Sequence, residues 1–230
     1  MQVSGWGMAA LMAAALAAAC AESGPVKAEA DVRRDSGGGQ RTCSDIRGYL
    51  NDEAAPGRAV HSEPDSASAV LGRIAPPSRS PAGDYEVPVG FDILASRDGW
   101  LLVEGAADDA ALTEQPARTM YSGRGWIRSE RVAVGLQTRQ AFAEPRHSSA
   151  LLIEANEPNS LADLFEIAAC DGQWVLGRWR PADPSTVRYE RAAVVSADPL
   201  ILEAWATGIC NIQETSCDGV SGDRPAAPAK

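Results

Sequence analysis

At 230 residues the chain is long enough for one large domain or two small ones, and its 45% apolar content suits neither a disordered chain nor a polytopic membrane protein. The formal net charge of −10 argues against nucleic acid, since few basic clusters are present to release counterions, and equally against docking on anionic lipid head groups. It reads as a solvated acidic surface.

From Gly7 to Cys20 the chain is nearly all Ala, Leu and Met without a charge, and it turns polar at Glu22. That apolar stretch is too short to span a bilayer comfortably but fits the core of an export signal over residues 1–20, although Met1-Gln2-Val3-Ser4 lacks Lys and Arg. Two processing outcomes are open. Ala17-Ala18-Ala19-Cys20 resembles a lipobox, with Cys20 as the lipidated residue, although Leu16 stands one position further from the cysteine than is usual. Alternatively, Ala17-Ala18-Ala19 is an ordinary small-x-small site with cleavage after Ala19. Residues 21–42, with Gly37-Gly38-Gly39, read as a flexible tether with a reach of roughly 25 Å. A tether of this kind suits a lipid-anchored protein on the periplasmic side of the cell envelope, touching the membrane through its anchor only.

Setting Cys20 aside leaves Cys43, Cys170, Cys210 and Cys217, an even set that favours disulfides in an exported chain. Cys210 and Cys217 are near enough in sequence to close a small loop, which would leave Cys43 for Cys170, but all three connectivities remain open. No C-x-x-C spacing supports a metal site, and no cofactor is expected.

After Cys43, short apolar runs alternate with Gly, Pro, Asp and Ser clusters, the pattern of an all-β chain of small strands. Three blocks then recur in the same order. Glu63-Pro64 followed by small polar residues and Ala69-Val70-Leu71 matches Glu144-Pro145 followed by Ala150-Leu151-Leu152. Phe91 to Trp100-Leu101 across Asp98-Gly99 matches Phe165 to Trp174-Val175 across Asp171-Gly172, a hairpin signal in both copies. Gly125-Trp126-Ile127 matches Ala204-Trp205-Ala206.

This plan resembles the bacterial SH3-like (SH3b) domain family, through Val60-His61-Ser62-Glu63-Pro64, Val70-Leu71-Gly72, Asp98-Gly99-Trp100 and Gly125-Trp126-Ile127 in the first copy. The second copy departs from it where Ala204 replaces a glycine and no Gly follows Leu152. The resemblance implies two tandem small SH3-like barrels, residues 43–135 and 136–218; the tail at 219–230, ending Pro225-Ala226-Ala227-Pro228-Ala229-Lys230, reads as disordered. Val70, Ile93, Leu101, Val103 and Ile127 are the expected core of the first barrel.

Signals for catalysis are few. His61 and His147 fall in or beside the Glu-Pro turns and read as solvated; Asp108-Asp109 sits in an Ala-rich segment that reads as a mobile loop; no G-x-S-x-G, H-E-x-x-H or P-loop is present. An enzyme is not expected. Candidate binding residues are the matched aromatics Trp100, Tyr121, Trp126, Trp174 and Trp205, which either fill cores or line a groove. The resemblance implies a non-enzymatic module contacting peptidoglycan or an envelope protein. The alternative is a structural or interaction protein without a wall ligand, for which buried Trp rings and an apolar patch elsewhere are expected.

Overall fold

The computed structural model describes residues 39–50, 56–83, 85–108, 110–113, 116, 118–156, 164–210 and 220–226. The signal-like stretch, Cys20, most of the tether, Asp109 and Cys217 lie outside the described residues. As the apolar alternation predicts, the fold is all-β with curled antiparallel sheets, interrupted by a helical turn α1 (Ala110–Thr113) and two 3-10 turns.

The first half contains β1 (Arg41–Leu50), β2 (Arg58–His61), β3 (Val70–Ile74), β4 (Ser78–Arg79) and β5 (Glu86–Val87). It continues with β6 (Val89–Arg97), β7 (Trp100–Ala107), β8 (Thr119–Arg128), β9 (Val132–Ala133) and β10 (Gly135–Leu136). The second half contains β11 (Gln140–Phe142), β12 (Leu151–Ala155), β13 (Leu164–Asp171) and β14 (Trp174–Trp179). It closes with β15 (Val187–Tyr189), β16 (Val194–Ala197), β17 (Leu200–Ala206) and β18 (Ile209–Cys210). One sheet runs β3-β2-β8-β7-β6-β1-β9; the other runs β13-β14-β17-β11-β12-β15, with β16 also on β17.

Within these sheets β3-β2-β8-β7-β6 and β12-β11-β17-β14-β13 have the same order, so the three sequence blocks mark a repeated five-strand unit. The backbone bonds of the Glu-Pro turns repeat, although the Asp65 carboxylate bond to Ala67 N has no counterpart at Arg146. Ser62 N donates to Ala69 O as Ala143 N does to Ala150 O, and Ser68 N to Asp65 O as Ser149 N does to Arg146 O. Ser68 and Ser149 each accept, on the hydroxyl, the amide of their copy's glutamate, Glu63 or Glu144. Bulges fall at matched places too, between Val60 and His61 as between Ala141 and Phe142, and between Ile93 and Ala95 as between Ile167 and Ala169.

The hairpin tips differ in kind. Asp98 (φ 48°) and Gly99 (φ 74°) form a two-residue loop with both residues left-handed, the type I′ pattern. In the second copy Asp171 is the last strand residue, paired with Trp174, and Gly172 (φ 56°) followed by Gln173 forms a glycine-first loop. Moving the Asp-Gly pair by one position thus changes the turn type while Phe-to-Trp spacing is kept.

Four of the five expected core residues, Ile93, Leu101, Val103 and Ile127, are buried. Val70 is a correction: it is 53% exposed, because β3 is the sheet's edge strand and the bulge in it at Leu71 turns Val70 outward. Asp108 differs as well. It is buried and held by Arg118 and the Ser78 hydroxyl rather than lying in a mobile loop.

One apolar cluster runs through both halves, from Ile46, Phe91 and Leu101 to Ile167, Val175 and Trp205. A seam fastens them. Cys43 is disulfide-bonded to Cys170, Ser44 N donates to Gly172 O (2.9 Å), Gly172 N donates to Thr42 O (2.9 Å), and Arg41 pairs with Asp171 (2.6 Å). Cys210 is also disulfide-bonded; the expectation that pairs it with Cys217 involves a residue outside those described.

The replacement of Gly125 by Ala204 has a packing cause. A methyl at Gly125 would collide with a Val60 methyl and approach His61 O to 3.0 Å. In the second copy Ala141 stands at the place of Val60, which makes room for the Ala204 methyl. Gly125→Ala is therefore expected to destabilise the chain by about 1–3 kcal/mol. Adding Val60→Ala should restore part of that loss rather than add to it, a non-additivity measurable by urea denaturation of the two single variants and the double.

Candidate binding site

The five matched aromatics do not assemble into one groove. Trp100 and Trp126 are 3% and 6% exposed and pack with Ala95 and half-buried Leu102 as a satellite of the main core. They are capped rather than open: His61 meets Trp100 edge-on with centroids 5.2 Å apart, and the Arg128 guanidinium lies 4.4 Å over the same ring. His61 is thus half-buried, with Nδ1 shielded and without a hydrogen-bond partner, not a solvated surface residue. Trp205 is fully buried in the common core. Tyr121 is half-exposed; its ring lies against Gly72 and its hydroxyl donates to Arg124 O. Trp174 is half-buried and meets His147 at 4.9 Å and Phe142 at 5.8 Å.

His147 also differs from expectation. Its Nε2 lies 3.1 Å from Gly222 O, because part of the segment expected to be disordered is tied to the second half. Asp223 accepts from the Arg139 amide (2.7 Å), the Thr138 hydroxyl (2.9 Å) and the Arg139 guanidinium (3.1 Å). Arg224 donates to Ser149 O and lies 5.1 Å over Phe142. These charge-assisted bonds order residues 220–226 despite their polar composition. Although burial acts the other way, they hold the Asp223 carboxyl below the usual carboxylate range.

A cleft of about 270 Å³ opens between the halves, beneath the Asp98-Gly99 tip and beside Ser129 and Glu130. Its charged wall is Arg178, which donates to Glu166 (2.8 Å) and Glu203 (2.7 Å). Ser96, on the same cleft, accepts from Cys170 N and donates to Cys170 O, which sets the floor against the seam. Sequence reasoning passed over this triad. The available signal was a charge, Glu166, inside the apolar run of β13, with Arg178 opposite it in register. Among the described residues no cluster of three His, Cys, Asp or Glu side chains could hold a metal.

Glu166 is pushed up from the usual glutamate value, first by burial and then by the carboxylates of Glu130 and Glu203, against the pull of Arg178 and a Ser129 hydrogen bond. A carboxyl whose folded value is raised contributes stability while it is protonated, and that contribution is lost as pH rises through the folded value. Stability should therefore fall as pH rises above the ordinary glutamate range of about 4.3. Glu166→Gln should flatten that part of the profile, as read by thermal denaturation across the pH series.

The chain matches no protein-family model, and no curated protein or solved structure is significantly similar to it, so its two repeated five-strand units, the charged cleft and the aromatic caps stand as the description of what it is.

Proposed function

We propose that the chain is a non-enzymatic interaction module of the cell envelope, built on two SH3-like barrels and contacting an envelope protein. The repeated strand order supports the tandem reading, and the cross-half disulfide suits an oxidising compartment outside the cytosol. One observation carries the choice of partner. Trp100, Trp126 and Trp205 are spent on packing, while among the described residues the large apolar side chains left most exposed are Val70 and Leu71, 53% and 50% accessible, next to each other on an edge strand. Exposed adjacent aliphatic residues on a strand edge suit a protein contact better than a glycan.

Peptidoglycan is the second reading, favoured by half-exposed Trp174 and Tyr121. Full-length protein incubated with insoluble peptidoglycan at moderate salt should stay in solution. Retention that Trp174→Ala weakens severalfold without unfolding the protein would overturn the protein-partner reading in favour of the wall. In parallel, cross-linking in intact envelopes should give a discrete adduct that Leu71→Asp removes.

A further inference from the structure

The two copies treat one strand edge differently. In the second half β12 has two neighbours: β11 on one side and β15 on the other, with Ile153 opposite Tyr189, Glu154 opposite Arg188 and Ala155 opposite Val187. Glu190 N donates to Leu152 O (2.8 Å) and Asn156 N to Thr186 O (3.0 Å), so the outward backbone groups of that edge are satisfied. Arg188 bonds Glu154 across the pair (2.8 Å), and Leu152 beneath the following 3-10 turn is only 2% exposed.

In the first half the matching strand is β3, whose only partner among the described residues is β2. The shared register of β2–β3 and β11–β12, bulge included, places Leu71 where Leu152 stands, Gly72 at Ile153 and Arg73 at Glu154. The outward backbone groups of β3 are accordingly those of Leu71 and Arg73. The segment that supplies β15 in the second half, between β14 and β17, has as its counterpart between β7 and β8 a stretch whose described part forms α1 and no strand. Leu71, unlike Leu152, is half in solvent. The sign of the charge is reversed as well: a strand beside β12 needs a cation opposite Glu154, whereas one beside β3 would meet the exposed Arg73, which gives one guanidinium nitrogen to Gly57 O.

We infer that the β3 edge is a docking site for an extended peptide segment of a partner protein, which pairs antiparallel with Leu71 and Arg73, places an acidic side chain opposite Arg73, and covers Leu71 with the residues that follow. This rests on the interaction-module reading and specifies its contact. Main-chain bonds supply affinity and the acidic residue supplies selectivity, as in other strand additions. The second copy carries its own substitute for that ligand, so the partner is read by the first copy alone.

The test uses the full chain and two synthetic peptides: residues 185–193 as they stand, and the same peptide with Arg188→Glu. The acidic peptide should bind at least tenfold more tightly than the parent, and Arg73→Glu in the protein should invert the preference. Binding should slow amide exchange at Leu71 and Arg73, which a loose charge contact would not do. Leu71→Pro, which removes an outward N–H, should weaken both peptides alike. Equal affinities, an Arg73→Glu protein that keeps the original preference, or no binding at millimolar peptide would each overturn the inference. The envelope adduct separates the two levels: its loss with Leu71→Asp alongside an absent peptide preference leaves the protein-partner reading standing and removes strand addition.

Discussion

Everything else in this fold is arranged around the anchoring of β1. It pairs with β6 at both ends and with β9 at Tyr49 and Leu50, while Thr42, Cys43 and Ser44 are also bonded to the hairpin tip of the second half. One strand can serve both only because its register shifts between Thr42 and Ile46, where Asp45 adopts a left-handed φ of 56°. That bulge lets Cys43 and Ile46 both turn inward, although a regular strand would send residues three apart to opposite faces. The disulfide spans 127 residues and restricts the unfolded chain by roughly 5 kcal/mol on a chain-entropy estimate. It also fixes the distance across which Glu166, Arg178 and Glu203 meet Ser129 and Glu130.

The two copies show how a duplicated plan diverges without losing its core. Register, bulges and the Glu-Pro turn bonds are the same in both, whereas surface attachments differ. The second copy acquires β15, β16 and the docked segment 220–226 and so covers its edge and its Phe142–His147–Trp174 group. The first copy leaves the β3 edge without a second strand among the described residues and caps Trp100 with His61 and Arg128 instead. Each aromatic group is shielded by a cation over a ring, but the cation comes from β8 in one case and from the docked segment in the other.

Local features were legible in the sequence, whereas of the cross-half features only the Cys43–Cys170 pairing was, as one of three open connectivities. The hairpins announced themselves by Asp-Gly between apolar runs, and Ile93, Leu101, Val103 and Ile127 by alternation. Val70 alternates just as well but faces solvent, since a bulge that sequence does not mark reverses its face. β1 was hidden because Arg41-Thr42-Cys43-Ser44-Asp45-Ile46 has no period of two, its apolar residues being spaced for a bulge. The docking of 220–226 depends on Asp223 finding Arg139, a match between polar residues far apart that no periodicity reports. The matched aromatics were identifiable as a set, but their burial depended on His61, Arg128 and Arg224, whose positions follow from the assembled sheets.

The exchange of Val60 and Gly125 for Ala141 and Ala204 also bears on how such a chain can change over generations. Internal repeats invite recombination between copies, and a crossover that carried the closing Trp segment of the second copy into the first would pair Val60 with Ala204. That hybrid has a methyl too many in a closed space. A crossover that carried both segments together would keep each copy's steric match. The repeat is thus protected in one direction: its copies can be exchanged as whole units, but a gene conversion that sets Ala204 beside Val60 meets a packing barrier.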